Sequence, residues 1–206
     1  MRLFCCQAQS SAIVPSIIPS YSIVADSSEA TGLKWAAPAG ASGALTKITS
    51  ADFTTQSSVS ITGVFTSTYK TYHVIWEAYG SVTNADLQLQ FLYSTSTAQT
   101  ANYYGSGFAY IRDNTVSTFG YQNTSATTLY PSLGSSTQIS FGSITFNRVG
   151  QGSDYGIYFG NGYGQSAQGV INYSGYNDTA NTYTGFLLKP DSGTITGRYQ
   201  VYGLEN

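Results

Sequence analysis

Charge is what this chain has least of. Only 9% of its 206 residues are Asp, Glu, Lys or Arg, against about 25% in an ordinary soluble domain. The eight Lys and Arg residues are scattered singly and the net charge is −2. No basic stripe exists to meet a phosphate backbone, which argues against nucleic acid as a partner. Histidine occurs once, as His73, with no His or Cys cluster around it in sequence. A structural role is expected for it, with no metal site and no catalytic triad. The two cysteines, Cys5 and Cys6, are adjacent. A vicinal pair rarely closes a disulfide on itself, so stability is expected from packing or oligomerisation. Long apolar runs are missing too: none approaches the ~18 residues of a membrane span. The apolar start at Met1–Cys6 is shorter than the ~7–15 residues of a signal-peptide core, so no cleaved leader is expected.

The acidic residues are equally sparse. Ten Asp and Glu are dispersed without a close carboxylate pair, and Asp154, Asp178 and Asp191 sit beside Gly, Asn or Ser, where turns recruit Asp. Of the catalytic classes, only a glycosidase assembled from two distant carboxylates stays open. The Gly-rich stretch from Gly150 to Gly164 lacks the lysine and spacing of a phosphate loop and reads as turns. The expectation is a protein without enzymatic activity or cofactor.

What the chain does have is tyrosine. Seventeen of its eighteen tyrosines follow residue 68, set among Gly, Ser, Thr and Asn. Tyr favours strands and supplies amphipathic contact area at low entropic cost, a composition suited to displaying a surface. Residues 1–44 differ: Pro15, Pro19 and Pro38 forbid a long helix, and this part reads as an extended arm with a linker. Its Ile13, Val14, Ile17 and Ile18 cannot be buried by an isolated arm, which points to attachment on another protein.

Residues 45–206 show short apolar alternations punctuated by turns. Strands are expected at Lys47–Ser50, Val59–Phe65, Thr71–Tyr79, Leu87–Tyr93, Ala109–Arg112, Thr137–Phe146, Tyr155–Phe159, Val170–Tyr173, Tyr183–Leu188 and Thr194–Tyr202. Leu87, Leu89, Phe91 and Tyr93 share one face of a half-buried strand, with Gln88 and Gln90 on the other. Tyr72–Ala78 is apolar on both faces and predicts a central strand covered twice. Turns are expected at Asn114, Asn123, Asn161-Gly162, Asn177-Asp178 and Asp191-Ser192-Gly193. The fold class that follows is all-β: an antiparallel β-sandwich, jelly-roll-like, behind an extended N-terminal arm. Tyr155, Tyr158, Tyr163, Tyr173 and Tyr176 are open to two readings. They form a stacking surface for sugar rings, with Asn161, Asn172 and Asp178 as hydrogen-bonding partners, or they are core and subunit-interface residues.

The stretch Ala25-Asp26-Ser27-Ser28-Glu29-Ala30-Thr31-Gly32-Leu33-Lys34-Trp35 resembles the arm–domain junction of tail-fibre and related appendage proteins of tailed bacteriophages. Ile48–Phe53 and Val59–Tyr72 look like the opening of their C-terminal β domain, and Gly193–Leu204 like its closing strand. The resemblance implies a virion structural protein on the particle surface, a homotrimer whose arm docks on other virion proteins while the β domain projects. The short stretch before the junction departs from a long fibre shaft. It suits a short tail fibre that binds host surface polysaccharide during adsorption, or a capsid decoration (cement) protein or head fibre.

Overall fold

The computed structural model describes residues 22–25, 28, 30, 33–36, 45–82, 85–93, 97–111, 115–133, 138–149, 155–164 and 169–204. Ile13, Val14, Ile17 and Ile18, the prolines of the arm, the cysteine pair, the expected turn at Asn114 and residues 150–154 lie outside them. The chain divides into two compact units, Met1–Ala41 and Ser42–Asn206. In the first, β1 (Ser22–Ala25) and β2 (Leu33–Ala36) pair antiparallel, Ser22 opposite Ala36 and Ala25 opposite Leu33.

Among the described residues the second unit holds twelve strands, β3 (Leu45–Gln56), β4 (Val59–Ile61), β5 (Thr71–Gly80), β6 (Ala85–Leu92), β7 (Tyr103–Ile111), β8 (Thr115–Thr124), β9 (Thr127–Leu133), β10 (Ser140–Asn147), β11 (Gly156–Gly164), β12 (Gly169–Asn177), β13 (Gly185–Pro190) and β14 (Ile195–Leu204). They form an eight-stranded sheet, ordered β3-β14-β5-β10-β11-β12-β7-β8, and a four-stranded sheet, ordered β4-β13-β6-β9. Every pairing is antiparallel. The fold is thus an all-β antiparallel sandwich, as the alternating pattern predicts.

Its logic is a jelly roll with two insertions. The half-sheet β3-β14-β5-β10 and the sheet β4-β13-β6-β9 supply eight strands, and the chain crosses from one to the other at nearly every step. The hairpin β7–β8 is inserted between β6 and β9, and the hairpin β11–β12 between β10 and β13. Both join the same edge of the larger sheet, next to β10, and extend it into a wing of four further strands.

Between the layers the core is aromatic at its centre. Phe91 stacks on Tyr183 at 4.5 Å between ring centroids and on Tyr103 at 6.0 Å, and meets Phe146 edge-on at 5.6 Å. Phe65, Tyr72 and Phe186 continue the cluster, and Leu87, Leu89, Val74, Ile144 and Val201 fill its flanks. Pairs in these geometries add about 0.5–1.5 kcal/mol each beyond the area they bury.

Four sequence expectations need correction. β5 does lie inside the sheet, between β14 and β10, but within Tyr72–Ala78 only Tyr72, Val74, Trp76 and Ala78 are buried; Ile75 is 44% exposed. The strand is covered once, because the second sheet lies on one side only. Tyr93 falls just past the end of β6 and is exposed, so it does not share the core face of Leu87, Leu89 and Phe91. Asn161-Gly162 is no turn: it sits mid-strand in β11, opposite Asn172 and Ile171. Asn123 lies inside β8 with φ 53°, where the β7–β8 register shifts, since Asn tolerates the left-handed region a bulge requires. β8 and β9 were not foreseen at all: their apolar residues are too few and too interrupted to mark them as strands. The turn at Asp191-Ser192-Gly193 is present, with Gly193 at φ +73°.

Candidate functional site

Alternation decides which side chains of the eight-stranded sheet face outward. One cross-strand row runs Asp52, Arg198, Glu77, Phe141, Tyr163, Val170, Tyr110, Val116. Halfway along it the chemistry changes. On the jelly-roll side, Arg198 donates from Nε and Nη2 to Glu77 Oε2 at 3.1 and 2.7 Å, beside Asp52. From β10 through the wing, no outward position within the strands carries a charge among the described residues. Phe108, Tyr110, Val116, Phe141, Ile157, Phe159, Val170 and Tyr176 are all at least 40% exposed there. Scattered exposed apolar residues are ordinary, but a contiguous sheet face of them marks a contact surface.

The two ends of this face differ. At one end Tyr104 and Tyr176, directly opposed on β7 and β12, stack at 5.3 Å and 13°, and Tyr155 leans on Tyr176 at 6.3 Å. An open depression of about 590 Å³ lies against Tyr155, Ile157, Phe159, Ser174, Tyr176 and Asp178. Rings, a hydroxyl and a carboxylate around a shallow trough are the groups that hold a sugar ring, by stacking and hydrogen bonding. At the other end Phe141 packs on Tyr163 at 5.4 Å, with Val170, Tyr110 and Val116 beyond.

The tyrosines expected to act together are split by strand parity. Tyr155 and Tyr176 line the trough, Asn161 is exposed mid-face and within 3.4 Å of the Ser143 hydroxyl, and Tyr163 stands at the opposite end. Tyr158 and Tyr173 point the other way and are 0% and 3% exposed, so as sugar-stacking residues they are withdrawn. Odd positions of β11 face out and even ones in, a rule that separates Tyr158 from Tyr163. Tyr104, Ile157, Phe159 and Ser174 belong to the trough or its border and were not foreseen; extending the period of two through the Gly-rich stretch finds Ile157 and Phe159.

The buried tyrosines have their own work. Tyr158 Oη accepts from Thr127 Oγ1 at 2.6 Å, shares a hydrogen bond with Tyr121 Oη at 2.8 Å, and reaches the Tyr104 carbonyl at 3.3 Å. This knot ties β11 to β7, β8 and β9. Tyr173 Oη donates to the Ser143 carbonyl, and Tyr103 Oη accepts from the Phe91 amide at 2.6 Å. Asn177, fully buried, donates to the Ala101 carbonyl and receives the Tyr183 hydroxyl at 2.8 Å. Burial pushes the phenols of Tyr103, Tyr121, Tyr158, Tyr173 and Tyr183 above the ordinary tyrosine value.

His73 lies on the charged side of the sheet, its Nδ1 3.1 Å from Thr145 Oγ1, and burial lowers its pKa. Among the described residues no three His, Cys, Asp or Glu side chains converge as a metal-binding set. The chain matches no protein-family model, and no curated protein is significantly similar to it.

Proposed function

We propose that this chain is a structural protein of a tailed-phage virion, a short tail fibre whose β unit projects and binds host surface polysaccharide. The reading joins the resemblance of residues 25–35, 48–53, 59–72 and 193–204 to appendage proteins with one observation. That observation is the trough formed by Tyr155, Tyr176, Ser174 and Asp178 at the end of an uncharged sheet face. Several copies on one particle turn weak stacking into firm adsorption by avidity. A decoration protein or head fibre is the alternative, favoured by the apolar end of the same face, where Phe141, Val170 and Val116 offer nothing to a sugar hydroxyl but much to a protein.

Gold-labelled antibody against residues 45–206, imaged on intact particles, separates the two. Label on the tail supports the fibre. Label spread over the capsid supports decoration, and absence of label from purified particles overturns both.

A further inference from the structure

The trough at Tyr155 and Tyr176 has a neighbour on the same face. A second depression, of about 310 Å³, lies against Ser106, Phe108, Thr118, Asn172 and Ser174. Strand register puts it there. Asn161, Asn172, Phe108 and Thr118 form one outward row across β11, β12, β7 and β8, and Phe159, Ser174, Ser106 and Gly120 form the next. Ser174 lines both depressions, so the two meet at its hydroxyl. From Tyr176 to Asn172 the pair covers four residues of β12, ~13 Å at the rise of a strand, which is more than one sugar ring spans.

Both depressions are furnished alike. The trough offers the exposed rings of Tyr155 and Tyr176 with the hydroxyl of Ser174 and the carboxylate of Asp178. The second offers Phe108, 48% exposed, among the hydroxyls of Ser106 and Thr118 and the amide of Asn172. A flat ring takes the apolar face of a sugar, and donors and acceptors beside it take the sugar's hydroxyls. Charge narrows the ligand further. Among the described residues no Lys, Arg or His lines either depression, and Asp178 is the one charge that does. Arg148, just past the end of β10, lines neither. A saccharide bearing carboxylates or sulfates would lie here without a counter-charge and beside a like one, an arrangement that rejects it.

We infer that the two depressions are successive subsites for one chain of an uncharged polysaccharide, with one sugar over Tyr155 and Tyr176 and a later one over Phe108. The inference rests on the trough being a sugar site. To that reading it adds a second subsite, the length of chain recognised and the absence of charge on it. Phe108 and Asn172 thereby become residues that measure chain length, because a single sugar fills one depression and leaves the other empty.

The test applies the full chain to a microarray of neutral and acidic bacterial surface polysaccharides. Calorimetry then follows single sugars through pentasaccharides cut from the best-bound polymer. Neutral polymers are expected to bind, with affinity rising at least ~10-fold from the single sugar to the length that reaches both depressions, and level beyond it. Phe108→Ala and Asn172→Ala should flatten that rise. Phe141→Ala, on the same face but lining neither depression, should leave it whole. All three side chains lie on the outer face, and unchanged far-ultraviolet circular dichroism checks each fold; the wild-type length series needs no variant. A preference for acidic polymers, full affinity for a single sugar, or a rise that survives both substitutions would overturn the inference while leaving the trough a sugar site. Binding to no polymer on the array would overturn the inference and the sugar-binding reading beneath it together.

Discussion

The ring of Tyr173 ends over Gly160, the residue directly opposite it across the β11–β12 pair. A Cβ at Gly160 would stand 2.6 Å from the Tyr173 hydroxyl and 2.7 Å from Cζ, closer than any real contact. The arrangement repeats across the inner face of the sheet, with Tyr158 over Gly175, Trp76 over Gly142, Phe119 over Gly107 and Tyr121 over Gly105. Aromatics lying over cross-strand glycines close the layer and explain why so many glycines occur inside strands. Gly160→Ala should therefore cost about 1–3 kcal/mol through overpacking. Gly120→Ala, whose nearest neighbour would be 3.7 Å away, should stay within about 0.5 kcal/mol of wild type. Urea denaturation of the two variants checks the contrast.

Tyr158→Phe removes the oxygen that Thr127 and Tyr121 both use. Thr127 is fully buried, so its hydroxyl is left without that partner, at a cost of about 1–3 kcal/mol. Thermal melting of the variant should show the loss, and an unchanged midpoint would rule out the hydroxyl knot as a source of stability.

Alkali should unfold this protein through its tyrosines. The buried phenols titrate above their unfolded value near 10, so their contribution is complete below that value and is lost as pH rises from it toward the folded values. In a spectrophotometric titration Tyr103, Tyr121, Tyr158, Tyr173 and Tyr183 are expected to ionise only as the fold opens.

His73 sets a weaker acid dependence. Burial depresses its folded pKa, so its contribution is present above the unfolded value of about 6.5 and is lost as pH falls from there through the folded value. His73→Gln should flatten the stability profile in that interval, measured by urea midpoints at successive pH values.

Tyr155→Ala tests the trough. The side chain is 52% exposed, so the fold should survive, while host adsorption by particles carrying the variant should fall about tenfold, the equivalent of 1.4 kcal/mol in a binding constant. Adsorption at wild-type level would count against a sugar site at this end of the wing.

Most of the scaffold was legible because its strands alternate cleanly. Leu87, Leu89 and Phe91 announce the core face of β6, and Val201, Tyr199 and Ile195 that of β14. The wing and β9 were harder to read. In β8 and β9, Ser, Thr and Gly occupy positions where a pattern search expects apolar residues, and in β11 the pair Asn161-Gly162 imitates a turn. Glycine there answers a ring on the neighbouring strand, a demand set by residues far off in sequence such as Trp76 and Tyr173. The candidate site suffered the same way. Tyr158 and Tyr173 differ from Tyr155 and Tyr176 only by the face they occupy, and that depends on strand register through a stretch without apolar markers.

The two inserted hairpins write two texts on the same strands. Inward positions, among them Tyr103, Tyr158, Gly160 and Tyr173, are bound to one another by contact and cannot drift singly. Outward positions between them touch only their neighbours on the face, so selection is free to revise them one residue at a time. Changes on the outer face need alter neither the jelly roll nor the inner rings, so every second residue of the wing is open to revision without disturbing the core.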